Sequence, residues 1–102
     1  GMPAMSAPMP ASAPAAPPVG PDAVLIKNFA FVPAALTVKV GDTVTWTNQD
    51  GEPHTVSADG GQFHSPGMDA NATYSYTFAA AGTYDYVCSV HPFMRGSVVV
   101  TP

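Results

Sequence analysis

Between Leu36 and Asn48 the chain reads LTVKVGDTVTWTN: Leu36, Val38 and Val40 alternate with Thr37 and Lys39, and Val44 and Trp46 alternate with Thr43, Thr45 and Thr47. Side chains that change face at every residue belong to extended strands with one buried face, so a helix is excluded here. Gly41 and Asp42, with alternation on both sides, predict a hairpin. Similar short β-rich runs follow one another along the chain: AVLIKNFAF, HTVSA, TYSYTF with Tyr74, Tyr76 and Phe78 on one face, GTYDYVC and GSVVVT. No segment sustains a helical period over three turns. Seven or eight short strands in about 80 residues, with Gly and Pro between them, predict an all-β fold, an antiparallel Greek-key β-sandwich. The longest stretch outside the strands, ADGGQFHSPGMDANA from Ala58 to Ala72, is expected to be a loop with room for a helical turn.

At 102 residues the chain has material for one hydrophobic core. Residues 1–21, GMPAMSAPMPASAPAAPPVGP, contain neither charge nor periodicity and are expected to form a flexible Pro- and Ala-rich tether ahead of a domain spanning residues 22–102. Met2, Met5 and Met9 lie in this tether, either as inert residues or as a weak thioether site for Cu(I). The formal net charge is −4, and Lys27, Lys39 and Arg95 are far apart in sequence, so no basic stripe offers itself to nucleic acid. No run of about 20 apolar residues spans a membrane. The first residues have neither the basic start nor the apolar run of a signal peptide.

The only cysteine, Cys88, cannot form an internal disulfide and must be explained otherwise. Alternation places Tyr84, Tyr86 and Cys88 on one face, so the thiol is expected to point inward at one end of the sandwich. His91 and Met94 follow at three-residue steps, on the turn into GSVVV. Taken singly these residues have ordinary uses, as a small hydrophobe, an exposed imidazole and a gap filler. Together, a thiolate, an imidazole and a thioether favour copper, because soft sulfur suits Cu(I) and imidazole suits both oxidation states. Zinc would want a fourth ordinary nitrogen, oxygen or sulfur ligand, which methionine supplies poorly. A trigonal site of two histidines and a cysteine needs one more histidine, from His54 or His64. His54 is preferred because it opens the apolar run HTVSA after a turn, as at a strand start, whereas His64 lies in the Gly- and Pro-rich loop where exposure is expected.

The segment from Val38 to Val100 resembles a cupredoxin, one of the small type 1 (blue) copper proteins, and VKVGDTVTWTN, PHTV, AGTYDYVC and HPFMRG carry the resemblance. The Cys-x2-His-x2-Met spacing looks like the short ligand loop of amicyanins, shorter than its plastocyanin and azurin counterparts. The likeness leaves residues 1–21 unmatched. It implies a cupredoxin-like sandwich with one copper ion (Cu2+/Cu+) per chain, His54, Cys88 and His91 as equatorial ligands and Met94 as the weak axial one. Asn48 matches the family asparagine that pins the first ligand loop to the cysteine loop. One position departs from the amicyanin pattern: Val90 stands where proline usually precedes the second histidine. Its N–H is expected to face the Cys88 sulfur as a second donor beside the amide of Thr55.

The resemblance further implies a one-electron carrier cycling between Cu(II) and Cu(I), with the alternative of a periplasmic storage or delivery protein that uses the tail methionines. An enzyme is not expected, because one cysteine and three histidines cannot build the extra copper centres that catalysis on this fold needs. His91 is the expected electron port, surrounded by an apolar patch of Pro53, Pro92 and Phe93 with Met68, on which redox partners dock briefly. A monomer in a periplasmic or otherwise exported setting is expected.

Overall fold

In the computed structural model, which describes residues 22–102, the alternating runs become eight strands. They are β1 (Ala23–Lys27), β2 (Ala30–Val32), β3 (Ala35–Lys39), β4 (Thr43–Asn48), β5 (Ser57–Ala58), β6 (Thr73–Thr77), β7 (Gly82–Val87) and β8 (Arg95–Thr101). Two four-stranded sheets, ordered β2-β1-β4-β6 and β3-β8-β7-β5, face each other across the core. The expected tether, residues 1–21, lies outside the described residues. No helix among the described residues is long and apolar enough to cross a membrane.

The predicted hairpin at Gly41-Asp42 does not form. β3 pairs in parallel with β8, Leu36 opposite Val98 and Val38 opposite Val100, while β4 lies in the other sheet between β1 and β6. The turn instead hands the chain from one sheet to the other. Gly41 takes φ +96°, a left-handed conformation that glycine adopts without strain, and its N–H donates to the Phe78 carbonyl at 2.7 Å. The Asp42 carboxylate accepts the Lys39 N–H at 2.9 Å and closes the corner. Alternation requires only that each strand bury one face. Val38 and Val44 meet that requirement from opposite walls of the core as well as they would from one sheet. The same crossing makes β1·β4 and β3·β8 parallel, while the other four pairings are antiparallel.

A hairpin does form within AVLIKNFAF. Lys27 pairs with Ala30, leaving the two-residue turn Asn28-Phe29 with φ of 53° and 55°. Positive φ at both central residues is the type I′ geometry that fits a twisted hairpin, with Asn-Gly its preferred sequence. Asn28 tolerates the conformation, but Phe29 carries a left-handed cost of roughly 1–2 kcal/mol. The Asp50 carboxylate accepts the N–H groups of both turn residues, at 2.7 and 2.9 Å.

The core is aromatic. Trp46 meets Tyr86 edge to face at 5.5 Å, Phe31 meets Tyr86 at 4.7 Å, and Phe63 packs on Phe78 at 5.6 Å. Phe63 comes from the Ala58–Ala72 stretch, which has no helical turn. It folds back on the preceding segment, pairing His54 with Met68 and Ser57 with His64. Gly96 sits opposite Tyr86 in the β7·β8 ladder, and a Cβ there would lie 2.5 Å from both Cζ and the hydroxyl oxygen of that fully buried ring. A ring wedged among Phe31, Trp46 and Phe63 has nowhere to retreat. Gly96→Ala is therefore expected to lower the unfolding free energy by about 1–3 kcal/mol, measurable by chemical denaturation. A variant as stable as wild type would show that the ring moves freely.

Candidate metal centre

Tyr84, Tyr86 and Cys88 share one face of β7 and its continuation, with Tyr86 and Cys88 fully buried, as the alternation predicts. The chain then turns tightly: the Cys88 N–H donates to the Met94 carbonyl at 3.1 Å and the Met94 N–H donates to the His91 carbonyl at 2.9 Å. This turn brings His91 back beside Cys88 before β8 begins. His54 arrives from the other ligand loop. It does not start a strand, since β5 begins only at Ser57. It is pinned instead by a two-way backbone bridge, its N–H donating to the Met68 carbonyl at 3.1 Å and its carbonyl accepting the Met68 N–H at 2.8 Å. Pro53 lacks an N–H to join a ladder, and the loop folded over His54 takes up the bonds that a strand would supply.

Three donor atoms converge. The Nδ1 atoms of His54 and His91 are 3.2 Å apart and lie 3.7 and 3.9 Å from the Cys88 sulfur. The point equidistant from all three lies about 2.1 Å from each, close to the distances at which imidazole and thiolate hold a first-row metal ion. His54 and Cys88 are buried and His91 is half-buried, so the cluster opens to solvent on the His91 side.

Hydrogen bonding prepares the donors. His54 Nε2 donates to the Asp50 carboxylate at 2.9 Å, which leaves the Nδ1 lone pair facing inward. Burial alone would raise the Asp50 carboxyl. Hydrogen bonds from the Phe29 N–H, the His54 ring and the Asn28 N–H overcome it and hold the group below the ordinary carboxylate value. Burial likewise pushes the Cys88 thiol up, but the Thr55 N–H, the two imidazoles and the His91 N–H outweigh it and bring the thiol down to about 6. The thiolate, which is the form that binds metal, is thus favoured at neutral pH.

The structure brings His54, Cys88 and His91 together and places Met94, buried, on the same turn. His64 stays outside, exposed, its Nδ1 sharing a 2.7 Å hydrogen bond with the Ser57 hydroxyl. Three expectations need correction. Met68 is buried beneath the first ligand loop and takes no part in an exposed patch. Asn48 pins the first ligand loop to Met68 rather than to the cysteine loop: its Nδ2 donates to the Glu52 and Met68 carbonyls at 2.9 and 2.8 Å. Val90 does not offer its N–H to the sulfur; the Thr55 N–H donates there, at 3.4 Å.

The tie between the two ligand loops is made by residues that sequence reading missed. The Thr55 hydroxyl accepts the Ser89 N–H at 2.8 Å and shares a 2.7 Å hydrogen bond with the Ser89 hydroxyl. The available signal was a hydroxyl residue directly after His54 and another directly after Cys88. Asp50 gave only the weaker signal of a carboxylate four residues before a candidate ligand.

The family model for copper binding proteins of the plastocyanin/azurin family matches residues 23–101. The chain belongs to that family. Amicyanin-alpha of Methylorubrum extorquens is 42% identical over 88 residues, covering 81% of this chain and 74% of the relative. Amicyanin of Paracoccus denitrificans is 48% identical over 80 residues, covering 74% of this chain and 61% of the relative. The solved structure of an oxidised amicyanin variant superposes with a TM-score of 0.76 at 44% identity, covering 81% of this chain and 84% of that one. The cupredoxin sandwich expected from the motifs is therefore the fold. Within this family, two imidazole nitrogens and a thiolate converging at one buried point are positioned as a copper site.

Proposed function

We propose that the protein is a one-electron carrier, with copper held by His54, Cys88 and His91 and with Met94 as a weak axial ligand. The observation that carries the reading is the triangle of His54 Nδ1, His91 Nδ1 and Cys88 Sγ, assembled by the fold with one ligand near solvent. Copper bound there would alternate between Cu(II) and Cu(I), taking one electron from a donor and passing it to an acceptor. The protein's part is to keep the ligands in one arrangement. The Thr55–Ser89 tie, the His54–Met68 bridge and the Asp50 carboxylate all resist movement between oxidation states.

Donor and acceptor dock at the His91 side. Pro53, Val90, Pro92 and Phe93 are exposed around it, Phe93 at 71%, forming an apolar surface suited to brief contact. The protein works as a monomer, in an exported, periplasmic setting, as a carrier and not an enzyme. Visible and electron paramagnetic resonance spectra of the copper-loaded protein, followed by voltammetry, test the reading. An intense thiolate-to-copper band with a reversible one-electron wave is expected, and a colourless, redox-silent copper complex would overturn it.

Met94→Gln tests the axial position. An amide oxygen is harder than a thioether and favours Cu(II), so the ratio of the visible bands should change and the potential should fall. An unchanged spectrum would remove Met94 from the ligand set.

A further inference from the structure

We infer that Asp50 is the positioning residue of this centre: its carboxylate fixes the His54 ring with Nδ1 inward and holds the left-handed Asn28-Phe29 turn, seating Phe29 across both histidines as part of the electron port. One carboxylate receives all three donors. Oδ1 accepts the Asn28 N–H at 2.7 Å, and Oδ2 accepts the Phe29 N–H at 2.9 Å and His54 Nε2–H at 2.9 Å. Asp50 is itself anchored, its N–H donating to Asn48 Oδ1 at 2.9 Å, and its side chain is only 11% exposed.

The turn explains why such a latch is needed. Glycine adopts the second position of a type I′ turn without strain, yet this chain places phenylalanine there at φ 55°. Strained backbone persists where the surroundings over-determine it, and here the two N–H groups of the turn are bound by the carboxylate that also grips His54. The result is an aromatic ring set edge to face against His54 at 5.4 Å and against His91 at 5.2 Å, with interplanar angles of 89° and 81°. Phe29 is 38% exposed and lies 6.5 Å from Phe93, so it joins the outer surface to both imidazoles. The negative charge of Asp50, which accepts from the far nitrogen of His54, also makes Nδ1 of that ring a stronger donor and favours Cu(II).

The inference rests on the carrier reading for its redox measurements and stands apart from it in the metal-free protein. In metal-free Asp50→Asn, one amide oxygen must serve three donors. The Asn28 and Phe29 amides should exchange with solvent about tenfold faster, and the 15N spectrum of the His54 ring should show loss of the single Nε2–H tautomer. With copper bound, the Cu(II)/Cu(I) balance should move about tenfold towards Cu(I), a rise of about 59 mV. Asp50→Glu keeps the charge and should restore the tautomer and most of the potential. Phe29→Gly gives the turn its preferred sequence and removes the ring. Amide protection and tautomer should then survive while electron self-exchange slows roughly fivefold. Unchanged amide exchange and ring spectrum in Asp50→Asn would overturn the latch. A Glu variant no better than the Asn variant would overturn the role of the charge, and undiminished self-exchange in Phe29→Gly would remove Phe29 from the port. Wild-type protein that binds copper without a thiolate colour would refute the carrier reading instead, leaving the metal-free measurements to decide the latch.

Discussion

Copper-loaded Cys88→Ser should lose the intense visible absorption of the wild-type protein completely, because the transition requires electron density moving from a thiolate sulfur to Cu(II) and no other cysteine is present. Serine nearly matches cysteine in shape and Cys88 is fully buried, so the sandwich should still fold and the loss should be chemical rather than structural. His54→Ala should open the site to water and bleach or broaden the spectrum. His64→Ala should leave it unchanged, since that ring is exposed and bonded to the Ser57 hydroxyl. Absorbance of the three variants at equal copper loading is the measurement. A blue Cys88→Ser protein, or a His64→Ala variant that bleaches, would overturn the ligand assignment.

Asn48→Ala should be among the most destabilising single changes in the protein. Asn48 is fully buried at the end of β4, its Nδ2 donates to the Glu52 and Met68 carbonyls, and its Oδ1 accepts the Asp50 N–H at 2.9 Å. Alanine leaves all three backbone groups without that partner. At about 1 kcal/mol net per hydrogen bond the loss is about 3 kcal/mol, enough to lower the melting temperature of a domain of this size by roughly 12–24 °C. Measurement in the metal-free protein avoids added stability from copper binding. Because the same side chain braces both Asp50 and the bridge partner of His54, copper binding should weaken as well. A loss below about 1 kcal/mol would mean that water replaces the amide at little cost.

The fold class was legible because period-two alternation is a local consequence of strand geometry. Val38, Val44 with Trp46, and Tyr86 with Cys88 could be assigned to buried faces before any partner was known. Candidate chemistry was legible for a related reason: Cys88, His91 and Met94 occupy one short turn, so their proximity needs no tertiary information. The motifs around them likewise indicated the family.

Which strand lies beside which was decided only by tertiary structure. The Gly41-Asp42 corner satisfies the same alternation whether it closes a hairpin or crosses between sheets, and only the β3·β8 and β1·β4 pairings distinguish the two. The partners of Asn48, the Thr55–Ser89 tie and the Thr55 N–H donated to the Cys88 sulfur depend on the path of loops that cross the core. Asp50 shows the limit most clearly. Nothing local says that a carboxylate in QDGEP will meet the amides of Asn28 and Phe29, more than 20 residues away, together with the imidazole of His54. Strand character is written residue by residue in side-chain pattern, whereas the bonds that aim the ligands form between distant segments and exist only once both sheets have closed around the core.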